Sequence, residues 1–165
     1  MSWGSDWPEL KAGRGCSICR DVEQEDNGHG LRYFRGRWLS AFLQRENVVP
    51  GYSVAYWHGR HVCEPWELAD DELAGYFGEV NVVSRVLARF FDSAKMNYQI
   101  LGNIVPHLHV HIFPRGQSDR RPRAPLVWPP DLDRGNSETV SEIELRRSVT
   151  ELRSLLAPES RPRKG

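Results

Sequence analysis

Three histidines alternate with aliphatic residues in the stretch His107-Leu108-His109-Val110-His111, and they are half of the six histidines in the chain. In a β-strand successive side chains point to opposite faces, so the imidazoles would share one face and the aliphatic side chains the other. The pKa of imidazole lies near neutral pH, so histidine can serve as a base, a nucleophile or a metal ligand. A strand with one face of imidazoles therefore indicates catalysis or metal binding.

A second chemical motif is the pair Cys16 and Cys19, which are separated by two residues. Two thiolates and two imidazoles make a closed tetrahedral zinc site, which is normally structural. We favour His61 and His107 as the imidazole ligands, because His61 follows a predicted strand and His107 begins the triple-histidine strand. The sequence therefore predicts a structural zinc ion.

Two other residues compete for that role. His58 is the alternative to His61, three residues away, and Cys63 offers a third thiol. The spacing of Cys16 and Cys19 also occurs in thioredoxin-like redox pairs and in pairs of buried cysteines that hold no metal.

Composition narrows the class of protein. The 165 residues suffice for one domain, and 22 basic residues balance 22 acidic ones, so net charge favours neither nucleic acid nor a membrane surface as partner. No apolar run reaches the length of a membrane span, and the N-terminus lacks the pattern of a signal peptide. We predict a cytoplasmic protein, in which the cysteines are thiols or metal ligands rather than disulfides.

The apolar pattern predicts the elements that position these residues. A long helix begins near Asp70, its predicted cap, and runs to Ser93 with apolar residues at helical spacing. A final helix is predicted after Ser137. The predicted strands are two short ones between 31 and 43 and three further ones at 52–57, 98–101 and 104–113. The predicted division is an N-terminal arm at 1–15, a catalytic domain at 16–130, and a C-terminal helix with a basic tail at 131–165.

The triple-histidine strand matches a family signature. His107-Leu-His-Val-His-Ile-Phe113 has the pattern His-φ-His-φ-His-φ-φ, with φ apolar, and so resembles the histidine triad (HIT) superfamily of nucleotide hydrolases and transferases. The segments 38–57 and 59–68 resemble the family's strands and its approach to the long helix. The resemblance covers roughly residues 14–128.

This resemblance implies a fold, an assembly and a reaction. The implied fold is α+β, an antiparallel sheet with a long helix packed on it and a C-terminal helix, in a homodimer whose sheets join across a two-fold axis. In the family the middle histidine attacks the α-phosphate and forms a nucleotidyl-histidine, which places the nucleophile at His109 and a phosphate contact at His111. The implied substrate is a small-molecule nucleotide, either a dinucleoside polyphosphate, a nucleoside phosphoramidate or an adenylylated metabolite. Zinc-bearing members use the positions of Cys16, Cys19, His61 and His107.

Five further residues are candidates for binding substrate. Gln44 stands where relatives bind ribose hydroxyls. Asn103 stands where they contact phosphate beside the nucleophile, so it is also a catalytic candidate together with His109 and His111. Asn97 is a second polar candidate, Arg115 could neutralise phosphate charge, and Trp128 could stack on a base.

The chain also departs from the family pattern. Tyr52 stands where many members have histidine, and the stretch between Asn97 and Asn103 is shorter than usual. These departures leave the leaving group and the acceptor open, so a nucleotide phosphorylase is an alternative to a hydrolase. Two other classes are a non-catalytic nucleotide-binding protein on this fold and an enzyme whose three histidines hold a catalytic metal.

Overall fold

A computed structural model describes residues 3–46, 48–117, 119, 122–124 and 139–157. In chain order the elements are α1 (Trp7–Lys11), α2 (Ser17–Asp21), β1 (Gly30–Arg35), β2 (Leu39–Gln44), β3 (Ser53–Trp57), a 3-10 turn (Pro65–Glu67), α3 (Asp70–Phe90), β4 (Ser93–Gln99), β5 (His109–Gly116) and α4 (Glu142–Leu156). The predicted α+β fold class, with a long helix and a C-terminal helix on an antiparallel sheet, is confirmed. Among these residues no helix has both the length and the apolar character needed to cross a membrane.

The five strands of the sheet lie in the order β1-β2-β3-β5-β4, with every neighbouring pair antiparallel. The aliphatic residues of the histidine strand, Leu108, Val110 and Ile112, are buried in the main hydrophobic core. Helix α3 and helix α4 pack on this side and bury residues such as Val83 and Leu152. The opposite side of the sheet carries His109 and His111, so the two faces differ as the alternation predicts.

Several element boundaries differ from the prediction. Residues 1–15 are not wholly irregular, because α1 forms there with Pro8 in its first turn and Trp7 stacked on Trp3. The N-cap of α3 is Ala69 rather than Asp70, and the Ala69 N–H donates to the Glu72 carboxylate over 2.9 Å. Helix α4 begins after Ser141, whose hydroxyl accepts from the Glu144 N–H. The predicted cap Ser137 lies outside the described residues.

The ends of the last strands also move. Helix α3 stops at Phe90, and Asp92 turns the chain with a φ of 47° in the left-handed region, so β4 begins at Ser93 instead of 98. Strand β5 begins at His109 instead of 104. His107 therefore precedes the strand, in a connection that still bonds to the sheet, because the Trp57 N–H donates to the Leu108 carbonyl over 3.0 Å.

One carboxylate fastens the β1–β2 turn to α3. Glu79 of α3 accepts the backbone N–H groups of Arg37, Trp38 and Leu39 over 2.7, 3.0 and 3.1 Å. A β-carbon at Gly36 would collide with this carboxylate, so a larger residue there would have to displace it from the turn. Glu79 thus satisfies turn donors that the sheet ladder cannot reach.

We expect the Glu79→Ala variant to lose about 2–3 kcal/mol of unfolding free energy, because three N–H groups lose a charged acceptor and water replaces only part of the interaction. Urea unfolding monitored by tryptophan fluorescence measures the loss. The control is Glu151→Gln, whose carboxylate pairs only with Arg147 on the exposed side of α4 in the bonds described, and whose cost should stay under about 0.5 kcal/mol. Equal stability of the two variants would show that Glu79 does not hold the turn.

Candidate active site and metal centre

Two thiols and two imidazoles converge at the start of the histidine strand. The Cys19 Sγ lies 3.3 Å from the His61 Nδ1 and 3.4 Å from the His107 Nδ1, and the Cys16 Sγ lies 3.5 Å from the same His107 nitrogen. The four donor atoms all lie within 4.8 Å of one another. In tetrahedral zinc sites, bonds of 2.3 Å to sulfur and 2.0–2.1 Å to nitrogen place sulfur about 3.5 Å from nitrogen. This group can therefore hold a metal ion.

Local structure brings each of these donors to the cluster. Cys16 is the N-cap of α2 and its sulfur accepts from the Cys19 N–H over 3.4 Å, so one helical turn aims both thiols the same way. His61 lies just beyond β3, and its ring packs against Gly13, where a β-carbon would come within 2.8 Å of the ring. Gly13 also has a φ of 79°, so the arm needs glycine at this position for both reasons.

The other nitrogen of each imidazole has its own partner. The His107 Nε2–H donates to the Trp57 carbonyl over 2.8 Å, which leaves Nδ1 unprotonated toward the thiols. The His61 Nε2 lies 3.4 Å from the Cys63 sulfur, whose S–H donates to the Pro106 carbonyl over 3.0 Å. Cys63 therefore sits behind His61 rather than among the four donors.

The alternative ligand His58 is placed elsewhere. Its Nε2–H donates to the Arg37 carbonyl over 2.7 Å, and its Nδ1 lies 3.4 Å from the Ser40 hydroxyl. Among the residues that the structure describes, the donors that come together are the favoured four, and His58 is not one of them.

The protonation states of these imidazole and thiol groups bear on whether they can bind a cation. Burial lowers the pKa of His107 to about 4, so its imidazole is neutral at pH 7, as a ligand must be. Burial, and then the neighbouring Cys16, raise the pKa of the Cys19 thiol to about 12. A divalent cation at this point would supply the positive charge that ionising both thiols requires.

The catalytic candidates His109 and His111 lie side by side on the other face of the sheet from the helices. The His109 Nδ1 lies 2.5 Å from the His107 carbonyl oxygen, and its Nε2 lies 3.0 Å from the His111 Nε2. The His111 Nδ1 in turn lies 2.8 Å from the Tyr52 hydroxyl. Both imidazoles are largely buried, each with 8% of its surface exposed.

Hydrogen-bond chemistry assigns the proton on His109. A carbonyl can only accept, so the Nδ1 of His109 carries the hydrogen. Burial lowers the pKa of His109. Burial, and then the electrostatic effect of the neighbouring His109, lower the pKa of His111 to about 3. Both rings are therefore neutral at pH 7. A neutral imidazole with Nδ1–H has its lone pair on Nε2. His109 therefore presents a nucleophilic nitrogen at neutral pH.

The residues predicted to contact substrate lie in different parts of the structure. Gln44 ends β2 on the histidine face, where it is buried and its amide donates to the Phe42 carbonyl over 3.3 Å. Asn103 is exposed in the connection before β5. The structure thus brings Gln44 to the catalytic face, holds Asn103 on the surface, and leaves Trp128 outside the described residues.

Arg115 and Asn97 bind each other. The Arg115 Nη1 donates to the Asn97 Oδ1 over 2.8 Å and to the Ala124 carbonyl over 3.1 Å, and its Nε donates to Asp119. The guanidinium is almost completely buried. These contacts tie the segment after β5 to β4, so phosphate binding by Arg115 or Asn97 would have to share donors and acceptors already engaged.

Two residues near the histidines lay outside the predicted site. Gln99 of β4 pairs in register with His111, so its side chain shares the histidine face. The alternation from Asn97 would have found it, since residues two apart share a face. Tyr52 was noted as a departure, but its contact with His111 joins residues 59 positions apart in sequence, and only the strand pairing shows it.

Comparison with known proteins identifies the family. Residues 37–118 match the family described as "HIT domain". Two solved histidine triad proteins share the fold. One, from Sinorhizobium meliloti, is 25% identical with a TM-score of 0.65, covering 76% of this chain and 89% of that one. The other, from Marinobacter aquaeolei, is 26% identical with a TM-score of 0.62, covering 79% and 88%. The chain therefore carries a HIT domain and belongs to the histidine triad family.

Two further relatives resemble this chain in different ways, one in its fold and the other in part of its sequence. A zinc-bound histidine triad family protein from Mycobacterium smegmatis has the same fold, with 19% identity and a TM-score of 0.59 over 87% of this chain and 94% of that one. A curated protein, the asymmetrical bis(5'-nucleosyl)-tetraphosphatase of Schizosaccharomyces pombe, is 32% identical over 92 residues. That match covers 53% of this chain, and the chain spans about half the length of the relative.

Proposed function

We propose that this protein is a nucleotidyl hydrolase or transferase that acts on the α-phosphate of a nucleoside phosphate through a covalent intermediate on His109. The observation that carries the proposal is the 2.5 Å contact between the His109 Nδ1 and the His107 carbonyl, which places the hydrogen of this ring on Nδ1 and its lone pair on Nε2. This tautomer supplies the lone pair that attack on phosphorus needs.

The reaction takes two displacements. The lone pair of the His109 Nε2 forms a bond to the α-phosphorus, and the bond from phosphorus to the leaving atom breaks with its electron pair going to that atom. The leaving atom is oxygen in a polyphosphate or an adenylylated metabolite and nitrogen in a phosphoramidate, where it takes up a proton. A water oxygen then bonds to phosphorus and releases one proton to solvent, while the N–P electron pair returns to His109. If inorganic phosphate takes the place of water, the product is a nucleoside diphosphate and the enzyme is a phosphorylase.

Other side chains on the catalytic face supply binding. His111 directs a ring nitrogen to the reacting atom and would donate to a phosphate oxygen once substrate separates the two imidazoles. Gln44 would bind the ribose hydroxyls, and Gln99 and Asn103 would contact phosphate. The S. pombe tetraphosphatase, which resembles half of this chain, favours a dinucleoside polyphosphate over the phosphoramidate and adenylylated alternatives.

The His109→Ala variant should lose turnover of the preferred substrate by at least about a thousandfold while still binding nucleotide, because the attacking atom is removed and the binding groups stay. Intact mass spectrometry of the wild type should show one added nucleotidyl group, absent in the variant. The samples are quenched at alkaline pH because the N–P bond is acid-labile. The panel is a dinucleoside polyphosphate, a nucleoside phosphoramidate and an adenylylated metabolite, each with and without inorganic phosphate.

His58→Ala is the matched control, because this histidine lies outside the cluster and bonds to the β1–β2 turn. It should turn over substrate like the wild type. Turnover by His109→Ala at the wild-type rate would refute the nucleophile. Nucleotide binding by the wild type with no turnover of any substrate would instead favour the non-catalytic class.

We also propose that the ion at Cys16, Cys19, His61 and His107 is zinc, with a structural role. Two thiolates and two imidazoles are a set that zinc prefers, and four protein ligands leave no open position for water. The ion would join α2 to the connection that leads into β5. Such thiolates persist in a reducing compartment, which agrees with the proposed cytoplasmic location.

Purified protein should contain about one zinc ion per chain, and the double variant Cys16→Ser/Cys19→Ser should contain almost none. Loss of the ion should lower the melting temperature by at least about 5 °C, because metal that binds only the folded chain stabilises it. Plasma mass spectrometry and calorimetry measure the two effects. Cys63→Ser is the control and should keep its zinc. Full zinc content in the double variant would show that other residues bind the metal.

Finally, we propose a homodimer that forms through β4. This strand is at the sheet edge and bonds to β5 on one side, and the exposed Tyr98 and Ile100 lie on or beside it. A second copy pairing there would cover an edge that single chains usually protect. Light scattering should give twice the 19.0 kDa chain mass, and a monomer at micromolar concentration would contradict the assembly.

A further inference from the structure

Tyr52 is the third member of the hydrogen-bonded row on the catalytic face. Its hydroxyl lies 2.8 Å from the His111 Nδ1, and its ring stacks on Phe113 with centroids 4.8 Å apart and planes 7° apart. The side chain is 4% exposed. Tyr52 is therefore held rigidly, with its polar end against one nitrogen of His111.

The direction of each hydrogen bond follows from the end of the row. The His107 carbonyl fixes the hydrogen of His109 on Nδ1, so the His109 Nε2 must accept across the 3.0 Å contact with His111. The hydrogen of a neutral His111 then lies on Nε2, and its Nδ1 must accept. The Tyr52 hydroxyl is the donor that this arrangement requires, and burial, which raises the pKa of Tyr52, keeps that phenol protonated.

We propose that Tyr52 is a positioning residue: its hydroxyl fixes His111 in the Nε2–H tautomer and so directs an N–H toward the atom of His109 that attacks phosphorus. Tyr52 acts through His111 and touches neither substrate nor the reacting atoms. The kinetic consequence depends on the proposed nucleotidyl transfer, whereas the tautomer itself does not. This role also accounts for a tyrosine where many family members have histidine, since the position must hold a donor at this distance.

Removing the Tyr52 hydroxyl has two opposing effects on the tautomer of His111. In Tyr52→Phe the buried Nδ1 of His111 loses its donor, which costs free energy unless the ring changes tautomer. With the hydrogen moved to Nδ1, two lone pairs would face each other across the contact with His109. The variant should therefore populate both tautomers, and His111 should no longer deliver one N–H in one direction.

Nitrogen NMR of histidine-labelled protein tests the tautomer without any substrate. The wild type should show His111 with a protonated Nε2 and an unprotonated Nδ1, with resonances assigned from the loss of signals in His111→Gln. Tyr52→Phe should shift both resonances toward a mixture. The control Tyr76→Phe removes an equally buried phenol, which donates to the Ala55 carbonyl over 2.9 Å on the helix side of the sheet, and it should leave the His111 resonances unchanged.

A double-mutant cycle tests the consequence for catalysis. Tyr52→Phe should lower kcat about ten- to a hundredfold with KM changed less than about threefold, because a misdirected N–H affects the transition state more than ground-state binding. In the background of His111→Gln, the same substitution should have almost no further effect on kcat. Tyr76→Phe should lower stability without lowering kcat.

The outcomes separate this proposal from the proposed function. An unchanged His111 tautomer in a folded Tyr52→Phe protein would overturn the positioning role, and so would an undiminished effect of Tyr52→Phe in the His111→Gln background. If the tautomer shifts as expected but the wild type transfers no nucleotidyl group, the positioning role stands and the proposed function falls. If Tyr52→Phe fails to fold, the wild-type spectrum still tests the proposal, because a His111 protonated on Nδ1 in the wild type would refute it.

Discussion

The site depends on how His107 is held just before the histidine strand. Its Nε2–H bonds to the Trp57 carbonyl, its Nδ1 faces the two cysteine sulfurs, and its own carbonyl accepts from the His109 Nδ1. One residue therefore connects the candidate metal site to the proposed nucleophile. A shift of its backbone would alter both the ring nitrogen that a cation needs and the tautomer that His109 needs. A structural ion at this point would therefore hold the backbone that orients His109.

The two faces of the same strand have different surroundings. Leu108, Val110 and Ile112 pack against α3 and α4 in the main core, while the imidazoles at alternate positions face the other way. A slip of one residue in the pairing of β3 with β5 would exchange the two sets, placing imidazoles in an apolar core. The large cost of that exchange specifies the register. Packing of the aliphatic face thus fixes which side of the sheet carries His109 and His111.

Sequence periodicity and spacing predicted the parts of this arrangement that are local. The alternation at 107–111 predicted the two faces, and the spacing of Cys16 and Cys19 with His61 and His107 predicted donors that the structure brings together. The contact of Tyr52 with His111 could not be predicted, because it depends on the pairing of strands that are distant in sequence. Arg115 was predicted from the sequence to neutralise phosphate charge, and only the folded chain shows its bonds to Asn97 and Asp119. The roles of Gln44 and Asn103 come from family resemblance, that of Trp128 comes from its aromatic ring, and all three stay predictions.

The geometry also bears on whether the three histidines could hold one catalytic metal ion. Two imidazole nitrogens on one tetrahedral zinc ion are about 3.3 Å apart, with both lone pairs directed at the ion. The Nε2 atoms of His109 and His111 are 3.0 Å apart, and one of them must carry the hydrogen that joins them. His107 is turned away from this pair, since its Nδ1 belongs to the thiol cluster and its Nε2 to the Trp57 carbonyl. The three imidazoles therefore serve two centres. One metal ion bound by all three histidines would therefore need a different arrangement of these rings.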